Sequence, residues 1–215
     1  MASPNFDALS VSLSMTLGDG VAAAATDGVM WSSAQRTTFL NNACRRWLLR
    51  GLQRLVRAQV GAEEMLQNYI IEESATLSSA VTALASLSSN AGTAHIISVY
   101  NSTDTAFVKP LPPELRQVVL AGVNAFLSEQ YWLIDGGNLR VVGTNVAGSE
   151  SVTIKHVKQH VALAAGGSTD ILVPPQYLNV ILDLATMLGL EADPTDGNVA
   201  RALRLQERTD KELSA

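Results

Sequence analysis

Cysteine is almost absent from this chain: Cys44 is the only one among 215 residues. A single cysteine cannot form a disulfide within the chain, which excludes the disulfide framework of small secreted proteins. It also excludes a zinc site built from several cysteines of one chain. The default expectation is therefore an intracellular origin.

Signals for export or membrane insertion are not visible either. The first residues have no basic stretch, contain Asp7 and Asp19, and are apolar only briefly, at 21–25, so we expect no cleavable signal peptide. No run approaches the roughly 20 apolar residues that a membrane-spanning helix needs. We therefore expect a soluble protein with no visible export signal and no membrane partner.

Charged residues are scarce as well. They make up 16% of the chain, against roughly 25% in typical soluble proteins, while 47% of the residues are hydrophobic. This composition suffices for one sizeable core and argues against disorder throughout. A surface with so little charge suits a protomer that buries area against its neighbours, although an ordinary alanine-rich globular protein would have the same composition.

Catalytic motifs are missing. The chain has no G-x-x-x-x-G-K phosphate loop, and the segment 148–150 is not a nucleophile elbow. His156 and His160 are the only closely spaced histidines, and in a strand they lie about 13 Å apart, too far to share a metal ion. Cys44 falls on the apolar side of a predicted helix and is interpreted as a packed small residue. We expect no enzyme, no cofactor and no metal site.

The first half of the chain is predicted to be mainly helical. A long helix begins at Trp31-Ser32-Ser33, where a serine can cap it, and continues at helical spacing to Leu55. Residues 1–30 are interpreted as an arm that becomes ordered on a partner. After Gly61 the apolar residues from Met65 to Ile70 indicate that a helix resumes.

The second half is predicted to contain a small sheet followed by helices. Tyr131–Gly143 is typical of a β-hairpin, because Asp-Gly-Gly-Asn tolerates a tight turn between β-branched and aromatic residues. The other expected elements are a strand at Ala94–Tyr100, a helix from Pro112, a strand Val152–Leu163 bent near His156, a helix from Pro174 that ends at Gly189, and a last helix capped by Asp193.

Together these patterns predict an α+β protein that is mainly helical: a helical bundle with a small inserted antiparallel β-region and two C-terminal helices. The expected organisation is an N-terminal arm at 1–30 and a main domain at 31–213. Within that domain the β-rich insertion covers about 94–165 and the C-terminal helices cover 174–213.

Four arginines form a regular series on the predicted long helix. Arg46, Arg50, Arg54 and Arg57 recur at steps of three and four, and no acidic residue lies between Ser32 and Val60. Such a row repels itself unless negative groups face it. It is either a solvated face paired with acidic residues of the same chain, or a contact surface for an acidic protein or a nucleic acid.

The order of these segments resembles the head-to-tail adaptor, or head-completion, proteins of tailed bacteriophages. In that family an N-terminal helical region, an inserted β-region and a C-terminal helix pair opened by proline and an aromatic residue follow one another. The segments that carry the resemblance are the helix from Trp31-Ser32 with Asn41-Asn42-Ala43, the strand Ile96–Val99, the hairpin Tyr131–Val142, the β segment Val152–Val161 and the closing Ile171–Tyr177 with its two helices.

The resemblance implies a structural role in the virion. Such proteins form a ring, commonly of twelve copies, beneath the portal, where the ring connects the head to the tail and continues the DNA channel. The implied partners are other copies of the chain, the portal protein, and tail or other neck proteins. Packaged DNA would pass through without sequence-specific contact. The implied location is the head–tail neck, after synthesis in the host cytoplasm.

A ring requires two different complementary patches on each protomer. The candidates from the sequence are the arginine series on one side and a set of acidic residues on the other, namely Asp183, Glu191, Asp193 and Asp196. Two alternatives stay open. One is a nucleic-acid-binding module that uses the arginine-rich helix, although a net charge of -5 weakens it. The other is a different neck or tail-completion protein.

Overall fold

The chain forms two compact units. A computed structural model describes residues 5–78, 81–83, 93–122, 127, 129–143, 146, 149–166 and 170–214. The helical unit comprises Met1–Asn68 and His160–Ala215, and the barrel unit comprises Tyr69–Gln159. The barrel unit is thus inserted between two parts of the helical unit.

The elements follow the chain in a simple order. They are α1 (Phe6–Leu17), α2 (Ser33–Val56), α3 (Ala62–Leu66), β1 (Ile70–Ser78), β2 (Val81–Ala83), β3 (Thr93–Asn101), β4 (Ala106–Pro110), α4 (Arg116–Leu120), β5 (Tyr131–Asp135), β6 (Asn138–Val142), β7 (Ser149–Lys158), α5 (Leu178–Ala192) and α6 (Asp196–Ser214). Short 3-10 turns, Pro113–Leu115 and Pro175–Tyr177, lead into α4 and α5.

The predicted start of the long helix is confirmed. The Ser32 hydroxyl accepts a hydrogen bond from the backbone N–H of Gln35 at 3.2 Å, and the Gln35 side chain accepts one from the Ser32 N–H at 2.8 Å. This reciprocal pair satisfies two N–H groups at the N-terminus of α2. The face of α2 that carries Leu40, Cys44 and Trp47 is fully buried.

The prediction of an N-terminal arm is wrong for the described residues of that segment. Phe6 and Leu13 on α1 are fully buried, and Asn5 caps the helix by accepting a hydrogen bond from the Asp7 N–H. The intervening serines fit a helix because their hydroxyls donate to carbonyls of the preceding turn, as Ser12 does to Ala8 at 3.0 Å. Because the segment is rich in serine, the sequence did not indicate that this helix packs in the core.

The described residues of the barrel unit form a strongly curled mixed sheet of seven strands. Its strand order, β1-β2-β6-β5-β4-β3-β7, returns to β1, and every pairing except the parallel β4–β5 pair is antiparallel. Apolar side chains fill the interior, as in other small barrels. The core residues are Leu77, Ile96, Val99, Val108, Leu139, Val141, Val152 and Ile154.

The predicted fold, a helical bundle with a small β-region, is therefore wrong. Strands begin at Ile70, where the sequence indicated a continuing helix, and β1 pairs with β7 over nine residues from Ile70–Val157 to Ser78–Ser149. Pairing with a strand some 80 residues away is invisible in a local pattern, and serine-rich strands give a weak signal because their outward residues are small and polar.

The hairpin and the strand at Ala94–Tyr100 are confirmed as β5–β6 and β3. Gly136 and Gly137 adopt φ values of 56° and 80°, which the tight turn requires. The predicted bend near His156 is instead found in the neighbouring strand, because the register shifts lie between Thr93 and His95 and between Ile96 and Ser98 of β3. β7 ends at Lys158, before the expected Leu163.

Both C-terminal helices differ from the prediction at one end. α5 continues through Gly189 to Ala192, and the glycine packs closely against α1: a Cβ there would lie 2.8 Å from a methyl of Leu17. α6 begins at Asp196 rather than after Asp193. The Thr195 carbonyl accepts from the Val199 N–H at 2.9 Å, which places the cap at Thr195.

Gly189 provides a first test of this packing. We expect Gly189→Val to lower the free energy of unfolding by about 1–3 kcal/mol, because the buried Leu17 side chain must shift to admit the new side chain. Gly197→Ala is the matched control, since nothing lies within 4 Å of a Cβ at that helical position, and we expect a gain of up to about 1 kcal/mol. Denaturant unfolding followed by helical circular dichroism measures both. A wild-type midpoint for Gly189→Val would contradict the packing.

Asn41 joins α2 to the segment that follows the barrel. Its amide donates to the carbonyl of Leu163 at 2.8 Å and its oxygen accepts from the Leu163 N–H at 2.8 Å and from His160 Nε2 at 3.0 Å. Burial and the nearby Arg45 lower the pKa of His160 from its ordinary value near 6.5 to about 4. The neutral imidazole is therefore part of the folded helical unit.

The depressed pKa of His160 predicts acid sensitivity. Between pH 6.5 and 4 the unfolded chain binds a proton that the folded chain does not, so stability falls as the pH falls. We expect His160→Gln, which keeps a donor toward Asn41, to reduce this fall by about 1–2 kcal/mol, because partial solvation weakens the full effect of the shift. Unfolding curves at pH 7 and pH 4.5 measure the difference. An unchanged pH dependence would contradict the assignment.

Candidate interaction surface

The C-terminal half of α2 borders a groove in the helical unit, here called the arginine groove. Its broad section has a volume of about 780 Å³ and its narrow section about 260 Å³, and both sections share Arg50 and Gln53. The broad section is also lined by Arg54, Arg57, Ala58, Gln59, Val60, Gly61, Glu64, Met65, Tyr177 and Glu212. The narrow section is also lined by Arg46, Leu49, Leu184, Met187, Gln206, Thr209 and Asp210.

Two of the predicted arginines pair with acidic residues of the same chain. Arg50 contacts Asp210 of α6 at 2.6 Å, and Arg46 lies 3.9 Å from Glu191 of α5. All four side chains are about half exposed, so each pair contributes little to stability. The Arg46 pair is also longer than a charge-assisted hydrogen bond, typically 2.7–2.9 Å, and Arg46 can therefore engage another partner.

The other two arginines lie at the end of α2. Arg54 donates to the Val60 carbonyl at 3.2 Å and contacts the Met65 sulfur at 3.6 Å, which fixes the turn between α2 and α3. Arg57 is the exposed C-cap residue of α2. The predicted row of four guanidinium groups is thus present along one groove, and Arg54 also has a local structural role.

The acidic candidates do not form one patch. Glu191 is exposed and lies near Arg46. Asp193 is the C-cap residue of α5, and its carbonyl accepts from the Asn198 side chain at 2.9 Å. Asp183 is buried and pairs with Arg208 of α6. Asp196 is the first residue of α6, and its side chain lies outside the described part of the structure.

Asp183 is therefore an internal residue of the helical unit. Burial raises the pKa of its carboxyl group, and the neighbouring Arg208 opposes this rise. Arg208 also lies 3.7 Å from Glu212 one turn further along α6. These contacts make Arg208 a residue that holds α6 against α5.

Exposed apolar residues lie beside the arginines and were not recognised from the sequence. Leu49, Val56 and Val60 are 58%, 68% and 93% exposed, and Leu49 and Val60 line the groove. Leu49 and Val56 are seven residues apart and lie on one side of α2, which was a usable signal, and Val60 follows in the turn after the helix. This signal was overlooked because Leu48, Leu52 and Leu55 already explained the helical period.

The single cysteine of the chain is buried in the helical unit. Burial raises the pKa of Cys44 to about 12, so its thiol is not a nucleophile at neutral pH. Within the described ranges, no group of three or more histidine, cysteine or acidic side chains is placed to hold a metal ion. No helix in the same ranges is long and apolar enough to cross a membrane.

No protein-family model matches the chain, and no curated protein is significantly similar to it.

The Asp183–Arg208 contact can be tested directly. We expect Arg208→Ala to lower the free energy of unfolding by about 1–3 kcal/mol at pH 7, because a buried carboxylate loses its charged donor. The loss should shrink toward pH 4, where protonation removes the buried charge. Arg204→Ala, at an exposed position on the same helix, is the matched control and should be near neutral. Equal effects of the two substitutions would contradict the pairing.

Proposed function

We propose that this chain is a structural virion protein that forms a ring beneath the portal of a tailed phage. The ring connects the head to the tail and continues the DNA channel. Its partners are further copies of the chain, the portal protein and the tail or other neck proteins.

The observation that carries the proposal is the order of the elements. A helical region is followed by an inserted β unit, and the chain then closes with the pair α5 and α6, opened by Pro175 and Tyr177. This is the succession of the adaptor proteins that the sequence resembles. The β unit is larger than the resemblance implied, but it begins and ends between the same helical segments.

The surface of the helical unit supports the same proposal. The arginine groove combines guanidinium groups with exposed apolar side chains, a mixture typical of protein interfaces, in which arginine is enriched. Fold order alone never establishes a function, so this surface is the physical part of the argument.

The nucleic-acid-binding alternative receives less support. Two of the four arginines are near acidic side chains of their own chain, Glu191 and Asp210, and the net charge is -5. DNA binding requires positive groups that replace the counterions of the phosphates. An arginine that is already paired with a carboxylate must first give up that pair, which costs free energy. A different neck or tail-completion protein would use the same surface and differ only in its partner.

Electron microscopy of phage particles tests the proposal. We expect a ring of about twelve copies, as the resemblance implies, between portal and tail in complete particles. We expect DNA-filled heads without tails when the protein is missing, and restored tail attachment when it is supplied again. Particles that assemble and infect normally without the protein would overturn the proposal.

A DNA-binding measurement separates the alternative. We expect no binding of duplex DNA by the purified protein at moderate salt. Binding that weakens steeply with salt and is lost in Arg46→Ala/Arg50→Ala, together with particles that contain no such ring, would favour the nucleic-acid module.

A further inference from the structure

The loop 18–32, between α1 and α2, is fixed at many points. The Asp19 carboxylate accepts hydrogen bonds from the backbone N–H groups of Met30 and Trp31 at 2.8 and 2.7 Å. Trp31 itself is buried and packs edge-on against Phe39, with ring centroids 5.4 Å apart. The end of the loop therefore has one defined conformation.

Arg36 of α2 holds the rest of the loop through hydrogen bonds to its backbone. It is fully buried, and its guanidinium donates to the carbonyls of Ala24, Thr26 and Trp31 at 3.2, 2.5 and 2.7 Å. A buried charge is tolerated only where its donors find acceptors. Here the acceptors come from three points of one loop, so the loop and α2 are joined as one rigid piece.

This rigid loop displays two apolar side chains to solvent. Val29 is 97% exposed and Met30 is 58% exposed, and neither contributes to the core. A pre-formed segment loses little conformational freedom when it docks, which favours binding. The loop carries two acidic residues, Asp19 and Asp27, and no basic one.

We propose that the tip of this loop, Val29 and Met30, docks into the narrow section of the arginine groove on a second copy of the chain. The groove section offers an apolar floor of Leu184 and Met187 and an exposed wall residue, Leu49. Its volume of about 260 Å³ is below the range of typical small-molecule pockets, which begins near 300 Å³, and is of the size that a few side chains fill.

Charge favours the same pairing. The groove section is lined by Arg46, Arg50 and Asp210, and Arg50 is paired with Asp210 at 2.6 Å. Arg46 is only loosely engaged at 3.9 Å by Glu191 and is the guanidinium that would meet the acidic loop. Asp27 lies exposed two residues before Val29. Opposite charges at the rim of an apolar contact orient the partners and speed their association.

The two surfaces lie apart along one helix. The loop precedes Ser33, and the groove residues from Arg46 to Gln53 follow 13 to 20 residues later, which at 1.5 Å per residue separates them by about 20–30 Å. The tip of one protomer therefore cannot reach its own groove. Repeated tip-to-groove contacts are heterologous and close into a ring if the rotation is suitable, so this inference rests on the proposed ring.

A cysteine pair tests the contact in assembled particles. Val29→Cys and Gln53→Cys in one full-length chain should give a ladder of disulfide-linked multimers under mild oxidation, because each copy then links to two neighbours. Each single variant is the control and should give dimers at most. The native Cys44 does not interfere because it is buried and its pKa is raised to about 12. Bands that stop at the dimer, or that match the single variants, would overturn the proposal.

A second variant tests the contact without a crosslink. Val29→Lys should reduce incorporation into particles at least about tenfold, since an exposed apolar anchor becomes a cation in a groove section lined by arginines. Ile134→Lys, at a barrel position that is 38% exposed, is the control and should assemble normally. If particles contain the neck ring but Val29→Lys assembles as well as the control, only this contact fails. If no neck ring exists, the proposed function fails first.

Discussion

The burial of one face of α2 is the interaction on which the helical unit depends. Leu40, Cys44 and Trp47 are fully buried there, and the Trp47 ring lies 5.7 Å from that of Tyr177. Burying large apolar side chains contributes about 1.5–3 kcal/mol each. Because this face is held against the rest of the unit, the opposite face must point outward. The arginines and exposed apolar residues of the groove are displayed as a consequence.

Residues with a strong local signal were predictable, and those whose neighbours are distant in sequence were not. The cap at Ser32 and the turn at Gly136 follow from short-range chemistry, and both are present as expected. The strand at Ile70–Ser78 depends on pairing with β7, and the helical role of Gly189 depends on Leu17 of another helix. The groove was predictable only in part. The spacing of the arginines is visible in the sequence, but their acidic neighbours on α5 and α6 could be identified only from the fold.

The first and last strands of the barrel unit are neighbours in its sheet. They pair with each other, Ile70 with Val157, and the Lys158 N–H donates to the Tyr69 carbonyl at 2.9 Å. The two ends of the insertion therefore emerge side by side. A unit whose ends meet can be added between helices at little conformational cost, because the flanking segments need not separate.

The hydrogen bonds of Arg36 also help to explain the composition of the 18–32 loop. A carboxylate partner would satisfy a buried guanidinium more simply, yet the chain uses three backbone carbonyls. Carbonyl acceptors fix the path of the backbone rather than one side chain, so the loop is held in shape while its side chains remain available. Small residues in 20–28 allow that close approach, and the two large apolar residues that follow are left at the surface.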